Sequence, residues 1–214
     1  MQKLDRKTST FLKDNSQDRE GIASPFLRNL RIKAVAPWIA PRETVLDIGC
    51  GAGYLADFLS TDAIYYGVDK TPFWQGRGKE DKSVNQNFII ADLENPSSFA
   101  EVGKKIGVKA DVIVLAAFLE HIPNPNTFLA DAMSLLKPGG RFIGTTPHPI
   151  GREMHDLLAK LGIASRAAAE EHHQFLDKKE LAAVSDAIGG ELTHYKRFLF
   201  GLNQLFVISF PTKQ

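Results

Sequence analysis

Residues 44–59 read Thr44-Val-Leu-Asp-Ile-Gly-Cys-Gly-Ala-Gly-Tyr-Leu-Ala-Asp-Phe-Leu59. Val45, Leu46 and Ile48 form a short apolar run of strand type. The run enters a glycine cluster at Gly49, Gly51 and Gly53, and Leu55, Phe58 and Leu59 then recur at helical spacing. The pattern predicts a strand, a tight turn and a helix. Glycine has no Cβ, so such a turn adopts positive φ and brings its backbone close to a ligand, and the first N–H groups of the following helix face the same space. The stretch therefore describes a pocket for a nucleotide-like molecule.

Spacing decides among such pockets. The dinucleotide fingerprint G-x-G-x-x-G needs a third glycine where Tyr54 stands, and no Gly-Lys-Ser/Thr follows the turn, which disfavours NAD and removes the phosphate-cradling P-loop. Val45-Leu-Asp-Ile-Gly-Cys-Gly-Ala-Gly53 resembles the first motif of class I S-adenosylmethionine-dependent methyltransferases. The resemblance implies that Gly49, Cys50, Gly51 and Gly53 hold the methionine end of the cofactor, with Asp47 beneath them. Cys50 reads as a small spacer between two glycines, with no His or basic neighbour to activate it.

Four further motifs follow in the family's order. Ala63–Val68 reads as a second strand ending in Asp69-Lys70, and Asp69 lies about 20 residues after Gly49, the offset at which Rossmann-like folds set a carboxylate on the ribose hydroxyls. Asn87–Ala91 reads as a third strand with Asp92-Leu93 at its end. The resemblance implies that Asp92 accepts the adenine amino group and that the Leu93 N–H meets a ring nitrogen. Ala110–Ala117 is a near-continuous apolar run, as in a strand buried on both faces. It leads through Ala116 into Leu119-Glu-His-Ile-Pro-Asn-Pro125, which looks like the fourth motif of the branch acting on small molecules, lipids and saccharides; Ala117 stands where many relatives carry a polar residue. Leu135-Leu-Lys-Pro-Gly-Gly-Arg-Phe142 resembles the family's turn into strand five, with a helix ending at Lys137. Taken together these imply an α/β, Rossmann-like, doubly wound sheet of seven strands, mostly parallel, closed by an antiparallel C-terminal hairpin.

The chain has 214 residues, 43% hydrophobic and 24% charged, with a formal charge of +1. This suits one soluble domain and gives no global attraction to nucleic acid or acidic membranes. The longest apolar stretch, Val112–Leu119, falls far short of the roughly 18–20 residues of a membrane-spanning helix, and no apolar segment follows the charged N-terminus. A cytoplasmic location is the expectation. Residues 1–23 read as a polar arm and residues 24–214 as a single domain, with lid elements at about 24–40 and 147–176. Ser24-Pro25 opens a helix whose apolar face is expected at Phe26, Leu27, Leu30, Ala34 and Val35. Phe73 and Trp74, in a polar loop, suit either a cover over adenosine or acceptor or simple packing.

The sulfonium of the implied cofactor supplies an electrophilic methyl group, so the chain's own task is to align a nucleophile and exclude water. A hydroxyl acceptor benefits from a base near neutrality. His121, after the fourth strand, is the first candidate, followed by His148 and His172. Four of the six histidines (148, 155, 172 and 173) lie between 148 and 173, but without H-E-x-x-H spacing or a cysteine set no metal is expected. The expected acceptor is a small or lipid-linked molecule with an O or N nucleophile. Two alternatives are a non-catalytic cofactor-binding protein of the same fold and a nucleic-acid or protein methyltransferase; Glu120-His-Ile-Pro123 replaces the run typical of base-amino methylases.

Overall fold

The computed structural model describes residues 24–76, 85–150 and 176–212. Seven strands form one sheet in the order β3-β2-β1-β4-β5-β7-β6. They are β1 (Thr44–Ile48), β2 (Ile64–Asp69), β3 (Asn85–Ile90), β4 (Ala110–Ala116), β5 (Leu136–Pro147), β6 (Glu191–Phe198) and β7 (Asn203–Ser209). β1 to β5 run parallel, while β7 is antiparallel to both β5 and β6. The expected α/β architecture and its antiparallel closure are thus present.

Strand alternation splits the core in two. On β4, Ile113 and Leu115 face one cluster with Leu46, Ile48, Phe142 and Phe206, while Val112 and Val114 face the other with Val45, Tyr65 and Ile143. Both faces are filled, which is why β4 reads as unbroken apolar sequence. The helices α2 (Ser97–Ile106), α3 (Pro125–Ala132) and α4 (Lys178–Ala187) supply Phe99, Val102, Phe128, Leu129, Leu181 and Val184 to the first cluster. α1 (Ser24–Val35) supplies Ile32 and Val35 to the second. The α4 start is a capping box: Asp177 accepts from Lys179 N and Glu180 N, and Glu180 accepts from Asp177 N. Asn124 caps α3 by accepting from Thr127 N.

Three expectations are corrected. The turn after β1 does not open a long helix but a five-residue 3₁₀ segment, Tyr54–Phe58. Ser60 and Asp62 then form a tight turn, with Ala63 N on Ser60 O at 3.0 Å, and lead the chain into β2. The helix before β5 ends at Ala132 rather than Lys137, its last turn tightening into a 3₁₀ segment, Met133–Leu135, before Leu136 joins the sheet beside Ala110. On α1 the inward face is Ile32 and Val35 together with Arg31, while Phe26 is 63% exposed. Residues 1–23 and 151–175 lie outside the described residues, so the N-terminal arm and most of the expected second lid element do too.

Candidate active site

The parallel strands deliver β1, β2, β3 and β4 to one edge, where open α/β sheets bind ligands. The turn after β1 is held from below: Gly49 N and Cys50 N both donate to Val68 O, at 2.8 and 3.2 Å. Gly49 has φ +71°, and a Cβ there would lie 2.3 Å from Phe118 Cδ2. A Cβ at Gly51 (φ +54°) would meet no described atom within 4 Å, so its backbone faces open space. Two glycines in one turn thus differ in surroundings, with close packing at Gly49 and an open backbone at Gly51. Cys50 is half-buried, and burial pushes its thiol well above the usual range, consistent with a spacer.

Asp69, at the end of β2, is bound into the same turn. Its Oδ2 accepts from Gly51 N at 2.9 Å and its Oδ1 from Thr71 N at 2.9 Å. Each oxygen retains a second lone pair for an outside donor. Asp92, one strand further, is exposed, with Oδ1 accepting from Glu94 N at 3.0 Å. Leu93 is buried in the core, leaving only its backbone for a ligand. Lys70 sits at the rim in an exposed ion pair with Glu94 at 3.0 Å.

Asp47 is 4% exposed. Tyr65 Oη donates to its Oδ2 at 2.7 Å. Burial raises the Asp47 carboxyl to about 7, the Tyr65 bond working against the shift and Asp69 adding to it. Asp47 therefore lies under the turn as a buried support. Tyr65, which sequence reasoning missed, is recoverable from register: it pairs with Val45, two residues from Asp47 and on the same face.

Ala116 ends β4 beside Thr145. Ala117 then takes φ +55° and donates its N–H to Thr145 O at 2.8 Å. Non-glycine residues avoid this region, and such strain collects at functional sites. The bend seats the Phe118 ring against Gly49 and begins the single turn Leu119–His121. His121, half-buried, is thereby brought to the same edge as the glycine turn. His148, half-buried at the end of β5, accepts from Ile150 N through its ring Nδ1 at 3.2 Å, while its backbone N–H donates to Leu202 O at 2.9 Å. Burial, then the positive charge of Arg197, lowers its pKa. His172, His155 and His173 lie outside the described residues.

Other contacts at this edge had no local sequence signal. Arg28 stacks over the Tyr54 ring at 3.9 Å. Arg31 Nε donates to Asn203 Oδ1 at 3.1 Å, joining α1 to β7. Glu120 is 1% exposed, and burial raises its carboxyl despite the opposing pull of its own backbone N–H, Arg31, His121 and the Thr146 hydroxyl. Trp74 stacks on Phe88 of β3 at 4.9 Å, the packing alternative. Phe73 is 45% exposed. A separate concavity of about 660 Å³ lies between α2 and α3, lined by Phe99, Gly103, Val108 and Leu135. Val108 precedes β4, so this concavity adjoins the opposite edge of the sheet.

A seven-stranded sheet of this order, with a G-x-G-x-G turn after β1 and acids ending β2 and β3, defines a class I S-adenosylmethionine-dependent methyltransferase domain. Residues 16–195 match the methyltransferase domain family, to which the chain belongs. It is 28% identical over 155 residues to a ubiquinone biosynthesis O-methyltransferase of Coxiella burnetii, covering 68% of this chain and 63% of that one. It is 29% identical over 163 residues to the protein of the same name from Burkholderia thailandensis, covering 73% and 68%. The match to the first of these thus spans less than two thirds of its length. Among solved structures, the chain superposes on magnesium protoporphyrin IX methyltransferase from Synechocystis PCC 6803 with a TM-score of 0.66 at 15% identity, covering 95% of this chain and 93% of that one. A Burkholderia thailandensis 1,6-didemethyltoxoflavin-N1-methyltransferase gives 0.64 at 16%, covering 95% and 86%. Among the described residues no helix is long and apolar enough to cross a membrane, and no group of His, Cys, Asp and Glu is placed to hold a metal.

Proposed function

We propose that this protein transfers the methyl group of S-adenosylmethionine to an oxygen of a small, hydroxyl-bearing acceptor, free or lipid-linked. The observation that carries the reading is the coupling of an open Gly51 backbone to the Asp69 carboxylate, with Asp92 at the next strand end. This donor and acceptor set fits an adenosine bearing a charged amino-acid tail. The ribose diol matches the remaining lone pairs of Asp69, the adenine amino group matches Asp92, and the Leu93 N–H suits a ring nitrogen. The open backbone at Gly51 leaves room for the methionine end, and the Arg28 guanidinium over Tyr54 offers charge for its carboxylate.

When bound, the cofactor supplies a methyl group activated by its positive sulfur. The chain orients the acceptor and takes its proton. His121 is the proposed base, because its segment touches the glycine turn through Phe118 and a neutral imidazole offers a ring nitrogen that can accept the proton of a hydroxyl. His148, with Nδ1 engaged by Ile150 N, is the second candidate. The names of the relatives favour an oxygen acceptor on a small molecule. The direct test is release of S-adenosylhomocysteine across a screen of catechols, other phenols, saccharides, amines, prenylated phenols, peptides and nucleic acids. Turnover confined to nucleic acid would overturn the acceptor class. Tight cofactor binding with silence in every class would favour a non-catalytic binding protein.

A further inference from the structure

The hairpin joining β6 to β7 is built from the wrong residues for its shape. Gly201 N donates to Phe198 O at 3.1 Å, and Leu202 N to Leu199 O at 3.0 Å. The central residues of the first turn, Leu199 and Phe200, have φ +53° and +54°. Two successive positive φ values are the geometry that Asn-Gly adopts without cost, whereas leucine and phenylalanine are strained there. Strain that persists against local preference marks a functional segment.

The tip is also braced from within the hairpin. Arg197 Nε and Nη2 both donate to Gly201 O, at 3.0 and 2.8 Å. On this braced tip Phe200 is 101% exposed. Its position follows from the sheet: Asn203 pairs with Pro147, and His148 N donates to Leu202 O at 2.9 Å. The tip therefore stands at the carboxyl end of β5, on the edge that carries Asp69 and His121. Ile150, 44% exposed, is bonded through its N–H to His148, so a second apolar side chain lies on the segment tied to the hairpin.

We propose that Phe200 is a specificity-determining residue that packs against an apolar tail of the methyl acceptor, with Ile150 on the adjoining segment. The acceptor then joins a hydroxyl-bearing head, directed to His121, to an alkyl or prenyl chain leading out past the hairpin. The head group rests on the methyl-transfer reading above; the tail is inferred from the hairpin alone. A second copy of the chain is a poor occupant. A stable interface buries about 800 Å² per partner, and one exposed phenylalanine at a narrow tip offers only about 200 Å².

The experiment titrates 4-methylcatechol and 4-octylcatechol, by calorimetry, into the full chain saturated with S-adenosylhomocysteine. Wild type is expected to bind the octyl compound at least about tenfold more tightly, the gain of a few buried methylenes. Phe200→Ala should lose most of that preference, with its affinity for S-adenosylhomocysteine and its Tm unchanged. Phe200→Asn should lose it equally while raising Tm, because asparagine tolerates the turn. Absence of the preference in wild type, or its survival in Phe200→Ala, overturns the proposal. So does a fall in Tm of Phe200→Ala, which would make the ring internal packing. Dimerisation, or partition onto phosphatidylcholine–phosphatidylglycerol vesicles, that is lost in Phe200→Ala also overturns it. Homocysteine-product release is measured separately: a tail preference without turnover would count against the proposed reaction and leave the hairpin's role standing.

Discussion

Asp69 and Gly51 form one hydrogen-bonded unit, the carboxylate at the end of β2 accepting the N–H of the turn after β1 at 2.9 Å. The acid assigned to the ribose is also a strut of the loop assigned to the methionine end. Asp69→Ala is therefore expected to damage both halves of the cofactor site while sparing the sheet. Hydrogen bonds to a charged acceptor are worth about 1.5–3 kcal/mol each, so affinity for S-adenosylhomocysteine should fall at least about tenfold by calorimetric titration. Unchanged affinity would remove Asp69 from the site.

His121 offers a cleaner separation of roles. If it is the base, His121→Ala lowers kcat at least about a hundredfold with cofactor affinity nearly intact, since general-base catalysis contributes about 10²–10⁴. If it only shapes the turn after β4, cofactor affinity falls with turnover, because Phe118 on the same segment packs against Gly49.

The buried pair under the turn has a pH signature. The Asp47 carboxyl is raised from 3.8 to about 7, so the folded chain binds a proton there that the unfolded chain releases. Its contribution to stability is fully present below the ordinary carboxylate pKa and is lost as pH rises through about 7. Thermal melts should show this decline in wild type and not in Asp47→Asn. Tyr65→Phe removes the donor that opposes the shift, so it should move the decline to higher pH and cost about 1–3 kcal/mol.

Arg31 is held between Asn203 and the charge of Glu120. Arg31→Met removes the hydrogen bond to Asn203 and one of the positive charges facing the buried Glu120 carboxyl, and should lower stability by about 1–3 kcal/mol. Glu120→Gln should recover part of that loss in the double variant. Additive effects in denaturant titration would show that the two residues are independent.

The strands that carry the site were legible in the sequence because each holds a local apolar run followed by its own punctuation, glycines after Ile48 and acids after Val68 and Ala91. Caps at Asn124 and Asp177 were legible for the same reason, since a capping residue and its partners lie within three positions. The face of α1 was not. Phe26 and Leu27 outscore Arg28 and Arg31 on any hydrophobic count, yet Phe26 is exposed and Arg31 points inward toward Asn203, 172 residues away. The length of the segment after Gly53 was decided by the turn at Ser60 and Asp62, a weaker signal than the apolar spacing before it. The Asp47–Tyr65 bond needs strand register, which becomes available only once β1 and β2 are aligned.

One amide on β7 has reach beyond its size. Gln204 is fully buried, donates through Nε2 to both Pro147 O and Leu176 O, and receives the Tyr195 hydroxyl on its Oε1 at 2.8 Å. The two backbone points that bound residues 148–175 are thus fastened to a single side chain on a different strand, and their separation does not depend on what connects them. Closing an interval costs little more as it lengthens. Sequence between those points is then free to be lengthened, shortened or exchanged during evolution without refitting the sheet, so that one cofactor platform can be passed from acceptor to acceptor.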